Sequence, residues 1–215
     1  MGSKRASRSR SWSARQNRDP YVKKARESDY RSRAAFKLQQ LDQKERLIRA
    51  GMLVVDLGAA PGSWSQYTAA KVGSRGVVVA VDRLDMGDIP GVTEIKGDFL
   101  DDAVVGRIEQ ALAGRPADLV ISDLAPNLTG VSSVDQSAME DLVLAGMRFA
   151  LRHLGRKGVF VAKFFEGEQA DSLRQRVEKA FAVVRVRKPD ASRAKSTEAY
   201  LVARQPLGGE GVCVS

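Results

Sequence analysis

The sequence is poor in the residues that would suit it to an oxidising compartment, a membrane or a metal. It has a single cysteine, Cys213, in 215 residues, so no disulfide can form within the chain and we expect a reducing cytoplasm. No apolar run is long enough to cross a bilayer, and the basic, serine-rich N-terminus lacks the apolar segment of a secretory signal. The one histidine, His153, is interpreted as a surface residue, and no His or Cys cluster predicts a metal site.

Positive charge is concentrated at one end of the chain. The formal net charge is +9, and residues 1–37 alone hold twelve Lys/Arg against three Asp/Glu, while the rest of the chain is balanced. A basic arm on a neutral body is attracted to a polyanion, and such binding depends on salt. For residues 1–16 a solubilising tail remains an alternative. From Tyr21 to Lys37, where Tyr30 and Phe36 lie among the charges, an ordered nucleic-acid-binding face is favoured.

Strand and helix patterns alternate along the rest of the chain. In residues 32–48 the apolar residues recur at roughly helical intervals, which predicts a helix with Ser32 as its N-cap. Apolar strands that alternate with helices form a parallel sheet covered on both faces, whereas the short loop 189–196 predicts that the last two strands pair as an antiparallel hairpin. We therefore predict an α/β fold with a doubly wound, mostly parallel sheet. The seven predicted strands are residues 52–58, 76–82, 92–98, 118–124, 158–165, 182–188 and 197–204, and further helices are predicted at 63–72, 134–154 and 171–181.

Charged side chains stand at the ends of five predicted strands. In open α/β sheets, ligands bind beyond the carboxyl ends of the strands. One such residue would be unremarkable as a helix cap or a solvated end, but five at one edge indicate a binding site. These residues are Asp56, followed by Gly58, then Asp82, Asp98, Asp123 and Lys163.

The turn after the first strand, GAAPG, indicates which ligand the site takes. Its spacing fits neither a dinucleotide fingerprint nor a P-loop. Asp56 would repel a pyrophosphate and suits a cationic ligand. Asp82 is placed to accept both hydroxyls of a ribose, and Asp98 could meet the edge of an adenine. An adenosine with no phosphate and a cationic amino-acid tail is S-adenosylmethionine, which we expect as the cofactor.

Five segments resemble one family: SRAAFKL, DLGAAPGSWSQ, SDLAPN, VAKFFEG and VRKPDASRAKSTEAYLVA. They are similar to the FtsJ-type, heat-shock-induced RNA ribose 2′-O-methyltransferases, above all to the bacterial members that methylate a uridine in the A-loop of 23S ribosomal RNA. The resemblance implies a Rossmann-like methyltransferase domain over residues 21–204, with a flexible basic arm at 1–20 and a tail at 205–215. The implied catalytic set is Lys37, Asp123, Lys163 and Glu198, and the implied cofactor contacts are Gly62, Trp64, Asp82, Asp98 and Asp123.

Methyl transfer to a ribose hydroxyl needs a group that removes the hydroxyl proton. We hypothesise that Lys163, as a neutral amine, is this base. Lys37 and the cofactor's sulfonium favour the neutral form, while Asp123 and Glu198 favour the ammonium. A weaker role, in which Lys163 only orients the hydroxyl, stays open.

The predicted RNA surface frames the same edge of the sheet with positive charge that can hold phosphates. We expect a monomer that acts on 23S ribosomal RNA within the large ribosomal subunit. A nicotinamide-dependent dehydrogenase is disfavoured because its glycine fingerprint is absent, whereas a transfer RNA 2′-O-methyltransferase and a non-catalytic ribosome-assembly factor remain alternatives. The residues predicted to bind RNA are Arg31, Arg33, Arg187, Lys188, Arg193 and Lys195.

Overall fold

A computed structural model describes residues 19–193 and 196–207. Its helices are α1 (Pro20–Glu27), α2 (Ala35–Glu45), α3 (Ser63–Val72), α4 (Asp102–Leu112), α5 (Ser132–His153) and α6 (Ala170–Glu178), with a short 3₁₀ turn at Gly73–Arg75. Its strands are β1 (Leu53–Leu57), β2 (Val77–Asp82), β3 (Val92–Lys96), β4 (Ala117–Ser122), β5 (Leu154–Phe165), β6 (Phe181–Arg187) and β7 (Glu198–Pro206).

The strands form one sheet of seven in the order β3-β2-β1-β4-β5-β7-β6. Strands β1 to β5 are parallel to one another, and β7 runs antiparallel to both β5 and β6. The predicted α/β class, the mostly parallel sheet and the C-terminal antiparallel hairpin are confirmed. The chain turns from one side of the sheet to the other between β1 and β4, which is the switch point where such sheets bind ligands.

An apolar core covers each face of the sheet. Since side chains alternate along a strand, Val54 of β1 enters the core beneath α2 and α3, and Val55 enters the core beneath α4, α5 and α6. Trp64 and Tyr200 lie in the first of these cores, together with the buried face of α2. The face that carries α2 is therefore the one from which Lys37 can reach the sheet's edge.

Helix α4 was not predicted, although its sequence carries the signals. Val104, Ile108 and Leu112 are buried at intervals of four residues, and the carboxylate of Asp101 caps the helix by accepting a hydrogen bond from the Ala103 amide at 2.9 Å. The short helix α1 was not predicted either; Asp19 caps it and Pro20 occupies its first turn.

Two expectations about single residues are wrong. Ser32 is not the N-cap of α2, because the helix begins after Ala34 and has no side-chain cap. His153 is not a surface residue: its side chain is only 10% exposed and lies 3.7 Å from Glu109, and its ring centroid is 4.3 Å from that of Phe149. Burial, with a smaller contribution from Arg152, lowers the pKa of His153 despite the nearby glutamate.

Within residues 19–193 and 196–207, no helix combines the length and the apolar character that crossing a membrane requires.

Candidate active site

Parallel strands β4 and β5 bring Asp123 and Lys163 together. Ser122 pairs with Ala162 in the sheet, so the residues that follow them lie side by side at the carboxyl edge. Lys163 Nζ donates a hydrogen bond to the Asp123 carbonyl at 2.7 Å and lies 3.2 Å from Asp123 Oδ1. The Lys163 side chain is 8% exposed. Burying an amine is costly unless it is paired, and Asp123 supplies both acceptors.

Lys37 and Glu198 form a second pair at the same edge. Lys37 lies in the first turns of α2, and Glu198 is the first residue of β7. Lys37 Nζ is 2.7 Å from Glu198 Oε1, with both side chains largely buried, and Ser192 Oγ donates to the same oxygen at 3.0 Å. Burial by itself raises the pKa of Glu198, but Lys37, Lys163 and Ser192 together outweigh it and lower the pKa. Glu198 is therefore a carboxylate.

Tyr200 joins the two pairs, and the sequence reading missed it. Its hydroxyl lies 3.0 Å from Asp123 Oδ1 and 3.2 Å from Glu198 Oε1. Burial, followed by the two carboxylates, raises the pKa of Tyr200 well above its usual range. The phenol therefore stays protonated and acts as a hydrogen-bond donor. The signal was available: Glu198 and Tyr200 are two residues apart in a strand and share a face, and Tyr200 pairs directly with Lys163.

Asp56, at the end of β1, is suited to a cationic ligand. It is fully buried, and its Oδ2 accepts a hydrogen bond from Ser65 Oγ at 2.6 Å. Its Oδ1 has no hydrogen-bond partner in the part of the chain that the structure describes. Burial, with Asp123 and Asp82 adding to it, raises the pKa of Asp56 to about 7. A cation beside Oδ1 would pair with the carboxylate and favour its ionisation, so this residue fits the positively charged S-adenosylmethionine.

Glycines shape the turn between β1 and α3. Gly58 and Gly62 have φ of +75° and +97°, a region that disfavours other residues. A Cβ at Gly58 would also lie 2.6 Å from Leu124 Cδ2, and one at Gly62 would collide with Ile89. The turn delivers the N-terminus of α3, which attracts carboxylates, close to Asp56 in the chain. Together they suit the ammonium and carboxylate of an amino-acid tail.

Asp82 and Asp98 follow or end the neighbouring strands and are half-buried. Asp82 accepts hydrogen bonds from the amides of Ala60 at 2.9 Å and Leu84 at 2.8 Å, and Asp98 accepts one from Leu100 at 3.1 Å. Because each carboxylate oxygen can accept more than one hydrogen bond, both residues keep acceptor capacity for a ribose or a base. The amide bonds fix their orientation.

Trp64 has a different position from the other expected cofactor contacts. Its side chain is 2% exposed, its indole donates to the Ala34 carbonyl at 2.8 Å, and its ring packs 5.7 Å from that of Tyr200. The indole is thus part of the core beneath α2, and only its backbone, in the first turn of α3, lies near the glycine turn.

The structure divides the residues that were expected to bind RNA. Arg33 forms an ion pair with Asp19 and donates to the Ala191 carbonyl. Arg187 donates to Glu45 at 2.6 Å. These two guanidinium groups are engaged in holding the N-terminal helices to the rest of the domain.

The remaining expected RNA contacts lie nearer to solvent. Lys188 pairs with Glu166 at 2.8 Å, with both side chains about half exposed, and Arg193 is exposed. The guanidinium of Arg31 donates to backbone carbonyls of the loops that follow β1 and β2. Lys195 lies outside the described residues.

Among the described residues, no group of His, Cys, Asp and Glu has an arrangement that could hold a metal ion. The cluster around Lys163 offers two lysines, the carboxyl groups of Asp123 and Glu198, and the Tyr200 phenol, which is the chemistry of proton transfer and positioning.

Comparison with known proteins places the chain in a family. Residues 30–206 match FtsJ-like methyltransferase. The chain is 50% identical over 193 residues to ribosomal RNA large subunit methyltransferase E of Halorhodospira halophila, covering 90% of this chain and 91% of that protein. It is 46% identical over 200 residues to the protein of the same name from Pseudomonas aeruginosa, covering 93% and 97% of the two chains.

Solved structures agree with the sequence comparison. A ribosomal RNA methyltransferase of Plasmodium falciparum is 29% identical with a TM-score of 0.76, covering 84% of this chain and all of that one (100%). Fibrillarin of Aeropyrum pernix, at 16% identity and a TM-score of 0.56, covers 81% of this chain and 75% of its own and shares the fold. The resemblance indicated by the sequence motifs is confirmed, and the chain belongs to the FtsJ-like methyltransferase family.

Proposed function

We propose that this protein transfers a methyl group from S-adenosylmethionine to the 2′-hydroxyl of a ribose in large-subunit ribosomal RNA, at a uridine in the A-loop of 23S RNA. The observation that carries the proposal is the buried Lys163–Asp123 pair beside Asp56, whose Oδ1 is left for a cation. Relatives of about half identity that are named ribosomal RNA large subunit methyltransferase E support the substrate class.

The protein's own residues account for positioning and for the proton. Bound S-adenosylmethionine supplies a methyl group on a sulfonium that is already a good leaving group. Holding the hydroxyl in line with that methyl supplies much of the rate, and a base adds to it. Lys163, as a neutral amine, accepts the hydroxyl proton on the lone pair of Nζ, and the Asp123 carbonyl, which accepts a hydrogen bond from Nζ at 2.7 Å, holds the amine at the edge. The resulting ammonium is stabilised by Asp123 Oδ1 at 3.2 Å.

The Lys37–Glu198 pair and Tyr200 keep this arrangement in place. Lys37 balances the charge of Glu198 at 2.7 Å, and the Tyr200 phenol, which stays protonated, bridges Glu198 to Asp123. Asp123 Oδ1 is thereby contacted by both Lys163 and Tyr200. A catalytic group that is held in this way loses little entropy when the substrate arrives.

The test is transfer of labelled methyl from S-adenosylmethionine to three substrates in parallel: undermethylated large subunits, free 23S RNA and transfer RNA. Label on the large subunit at a ribose 2′ oxygen, abolished in Lys163→Ala, is the expected result. Label on transfer RNA alone would keep the chemistry and overturn the substrate. Cofactor binding without transfer to any of the three would favour the assembly-factor alternative.

We also propose that the protein works as a monomer in the cytoplasm. The large exposed apolar side chains in the described ranges come from several loops, the start of α5, β6 and the end of the described chain, and an obligate dimer would need a larger apolar face. Light scattering at micromolar concentration should give a mass near 23.4 kDa.

A further inference from the structure

Residues 29–34, here called the strap, connect α1 to α2 and lie against the start of α3. Gln66 makes two of the contacts: its Oε1 accepts from the Arg31 amide at 2.9 Å, and its Nε2 donates to the Asp29 carbonyl at 3.2 Å. Ser32 Oγ lies 2.8 Å from Ser63 Oγ, and the Trp64 indole donates to the last residue of the strap. The strap is therefore bonded to the helix that the glycine turn delivers.

The side chain of Arg31 extends these contacts to a second loop. Its guanidinium donates to the Pro61 carbonyl at 3.2 Å in the loop after β1. It also donates to the Asp88 carbonyl at 2.8 Å and to the Met86 carbonyl in the loop after β2. The first loop follows Asp56 and the second follows Asp82, so one side chain ties together the two loops that flank the expected cofactor.

The geometry of the glycine turn fits this role. A Cβ placed on Gly62 would come within 3.2 Å of Arg31 Nη1, so the guanidinium packs directly against the turn. Carbonyls of two separate loops converge on it, and a planar fork with five donors can serve all of them, whereas a lysine offers a single ammonium.

We propose that Arg31 is a positioning residue for cofactor binding: it closes the strap over both loops. Lys37 lies three residues beyond the strap in α2, and α1, with exposed Lys23 and Lys24, lies immediately before it. Closure of the strap therefore couples the placement of Lys37 to the cofactor site. This inference rests on the proposed function, since it takes S-adenosylmethionine as the ligand between the loops.

The inference gives Arg31 a different role from the phosphate contact that its charge suggests. The Arg31 guanidinium is engaged by backbone carbonyls of two loops, whereas Arg193 is an exposed arginine of the loop before β7. Substitution of Arg31 should consequently weaken cofactor binding more than RNA binding, and substitution of Arg193 should weaken RNA binding more than cofactor binding.

The experiment is calorimetric titration of S-adenosylmethionine into the full chain without RNA. Arg31→Ala should raise the cofactor Kd on the order of tenfold, which is the loss expected for charge-assisted hydrogen bonds. Arg31→Lys should fall between it and wild type. Arg49→Ala, at an exposed arginine in the loop before β1, is the matched control and should bind as wild type does. With RNA at saturation, Arg31→Ala should raise the cofactor KM and leave kcat within about twofold, because cofactor excess restores the closed loops.

Other outcomes overturn the inference. If Arg31→Ala leaves the cofactor Kd unchanged and raises the RNA Kd instead, Arg31 belongs to phosphate binding. If Arg31→Ala is too unstable to titrate, Gln66→Ala loosens the strap by a different bond and must raise the cofactor Kd as well; an unchanged Kd there rejects the idea. No binding of S-adenosylmethionine to wild type would reject the proposed function itself, and the inference with it.

Discussion

At the scale of single residues, the carboxylates at the edge of the sheet differ in what compensates their charge. Glu198 faces Lys37 and Lys163, and its pKa is lowered although it is largely buried. Asp56 is also buried, but its charged neighbours are Asp123 and Asp82, and its pKa is raised to about 7. Lys37 and Lys163 lower the pKa of Glu198, whereas the charged groups that shift the pKa of Asp56 are both carboxylates, which leaves room for a cation from a ligand.

Cofactor affinity should therefore depend on pH through Asp56. Pairing with a cation requires the ionised carboxylate, so below about pH 7 binding must release a proton. We expect the Kd of S-adenosylmethionine to fall as pH rises from 6 to 8 and then to level off. Calorimetry in two buffers of different ionisation enthalpy would count the released proton. Asp56→Asn should bind more weakly and show no such pH dependence; a pH dependence that persists in this variant would assign it elsewhere.

The same residue makes the ligand-free protein less stable at alkaline pH. A folded-state pKa of about 7, above the unfolded value, gives stability that is fully present below the unfolded pKa and is lost as pH rises through about 7. Asp56→Asn should raise the free energy of unfolding at pH 8 by up to about 4 kcal/mol, with a much smaller gain at pH 5. Urea denaturation at both pH values checks this. An equal gain at the two would show that ionisation is not the cause.

The role of Lys163 can be separated into proton transfer and orientation. Lys163→Arg keeps a positive donor beside Asp123 but cannot take up a proton at neutral pH. If Lys163 is the base, kcat should fall about 10²- to 10⁴-fold, the usual contribution of a general base, while the cofactor Kd stays near wild type. Single-turnover methyl transfer measures this. Retention of a tenth or more of the activity would reduce Lys163 to an orienting residue.

At the scale of elements, helix α2 is anchored at both ends. Lys37 near its start pairs with Glu198. At its end, the buried carboxylate of Glu45 meets three arginines from the hairpin, at 3.1 Å from Arg185, 2.5 Å from Arg187 and 3.6 Å from Arg204. This ion cluster lies about two helical turns from Lys37 and fixes the other end of the same helix.

Loss of the Glu45 cluster should affect both stability and catalysis. Burial opposes ionisation of Glu45, but Arg187 and Arg185 outweigh it and lower its pKa, so its contribution is present above the unfolded pKa and is lost in acid. Glu45→Gln should cost about 2 kcal/mol at pH 7, less than a fully buried pair because the arginines remain partly solvated. Urea denaturation measures this cost, and kcat should drop severalfold. Gln43→Ala, an exposed position on the same helix, is the control and should change neither.

The elements show where sequence reasoning succeeds and where it stops. Strands were predicted because each is a short apolar run that ends in a charged residue, and in a parallel sheet those ends must share an edge. Helix α4 was not predicted, although the Asp101 cap and the four-residue spacing of Val104, Ile108 and Leu112 are both local signals. The insertion of β7 between β5 and β6 depends on long-range pairing that local patterns do not encode. That pairing places Tyr200 opposite Lys163, whereas the spacing of Tyr200 from Glu198 already put the two on one face of the strand.

The partners of individual charged side chains could not be predicted from the sequence. The number and position of the basic residues predicted a positively charged surface. A guanidinium, however, binds a carboxylate or a carbonyl as readily as a phosphate. Arg33 and Arg187 have found partners within the protein, and only coordinates distinguish these uses. The assignment of individual catalytic and RNA-binding residues stays a prediction, as do the domain boundaries at residues 21 and 204.

At the scale of the whole molecule, different strands of the sheet supply the two sets of residues that the proposed reaction needs, one for the cofactor and one for the ribose. Most of the residues expected to bind the cofactor follow β1, β2 and β3, and the residues proposed to act on the ribose come from the ends of β4, β5 and β7 and from α2. The strap and α2 cross from one set to the other on a single face. Nearly all uncompensated positive charge lies in the residues that precede this face in the sequence, so long-range attraction to RNA would come from the N-terminal side.

Removal of residues 1–16 should therefore change RNA binding without changing the chemistry. This segment carries five Lys/Arg and no acidic residue. For every RNA phosphate that the arm neutralises, its removal should make the dependence of log Kd on log salt shallower by roughly 0.7 to 0.9. We expect weaker binding of large subunits at low salt, a shallower salt dependence, and kcat at saturating substrate within about twofold of wild type, since every residue proposed to act on the ribose remains.

Filter binding from about 50 to about 300 mM salt measures this slope, because screening by salt weakens phosphate binding steeply over roughly that range. The full chain is the control, and both chains are titrated with the same preparation of large subunits. Equal slopes for the two chains would mean that the arm neutralises no phosphate. The charges of α1 and the strap would then suffice to hold the RNA, and residues 1–16 would be the solubilising tail that their composition also allows.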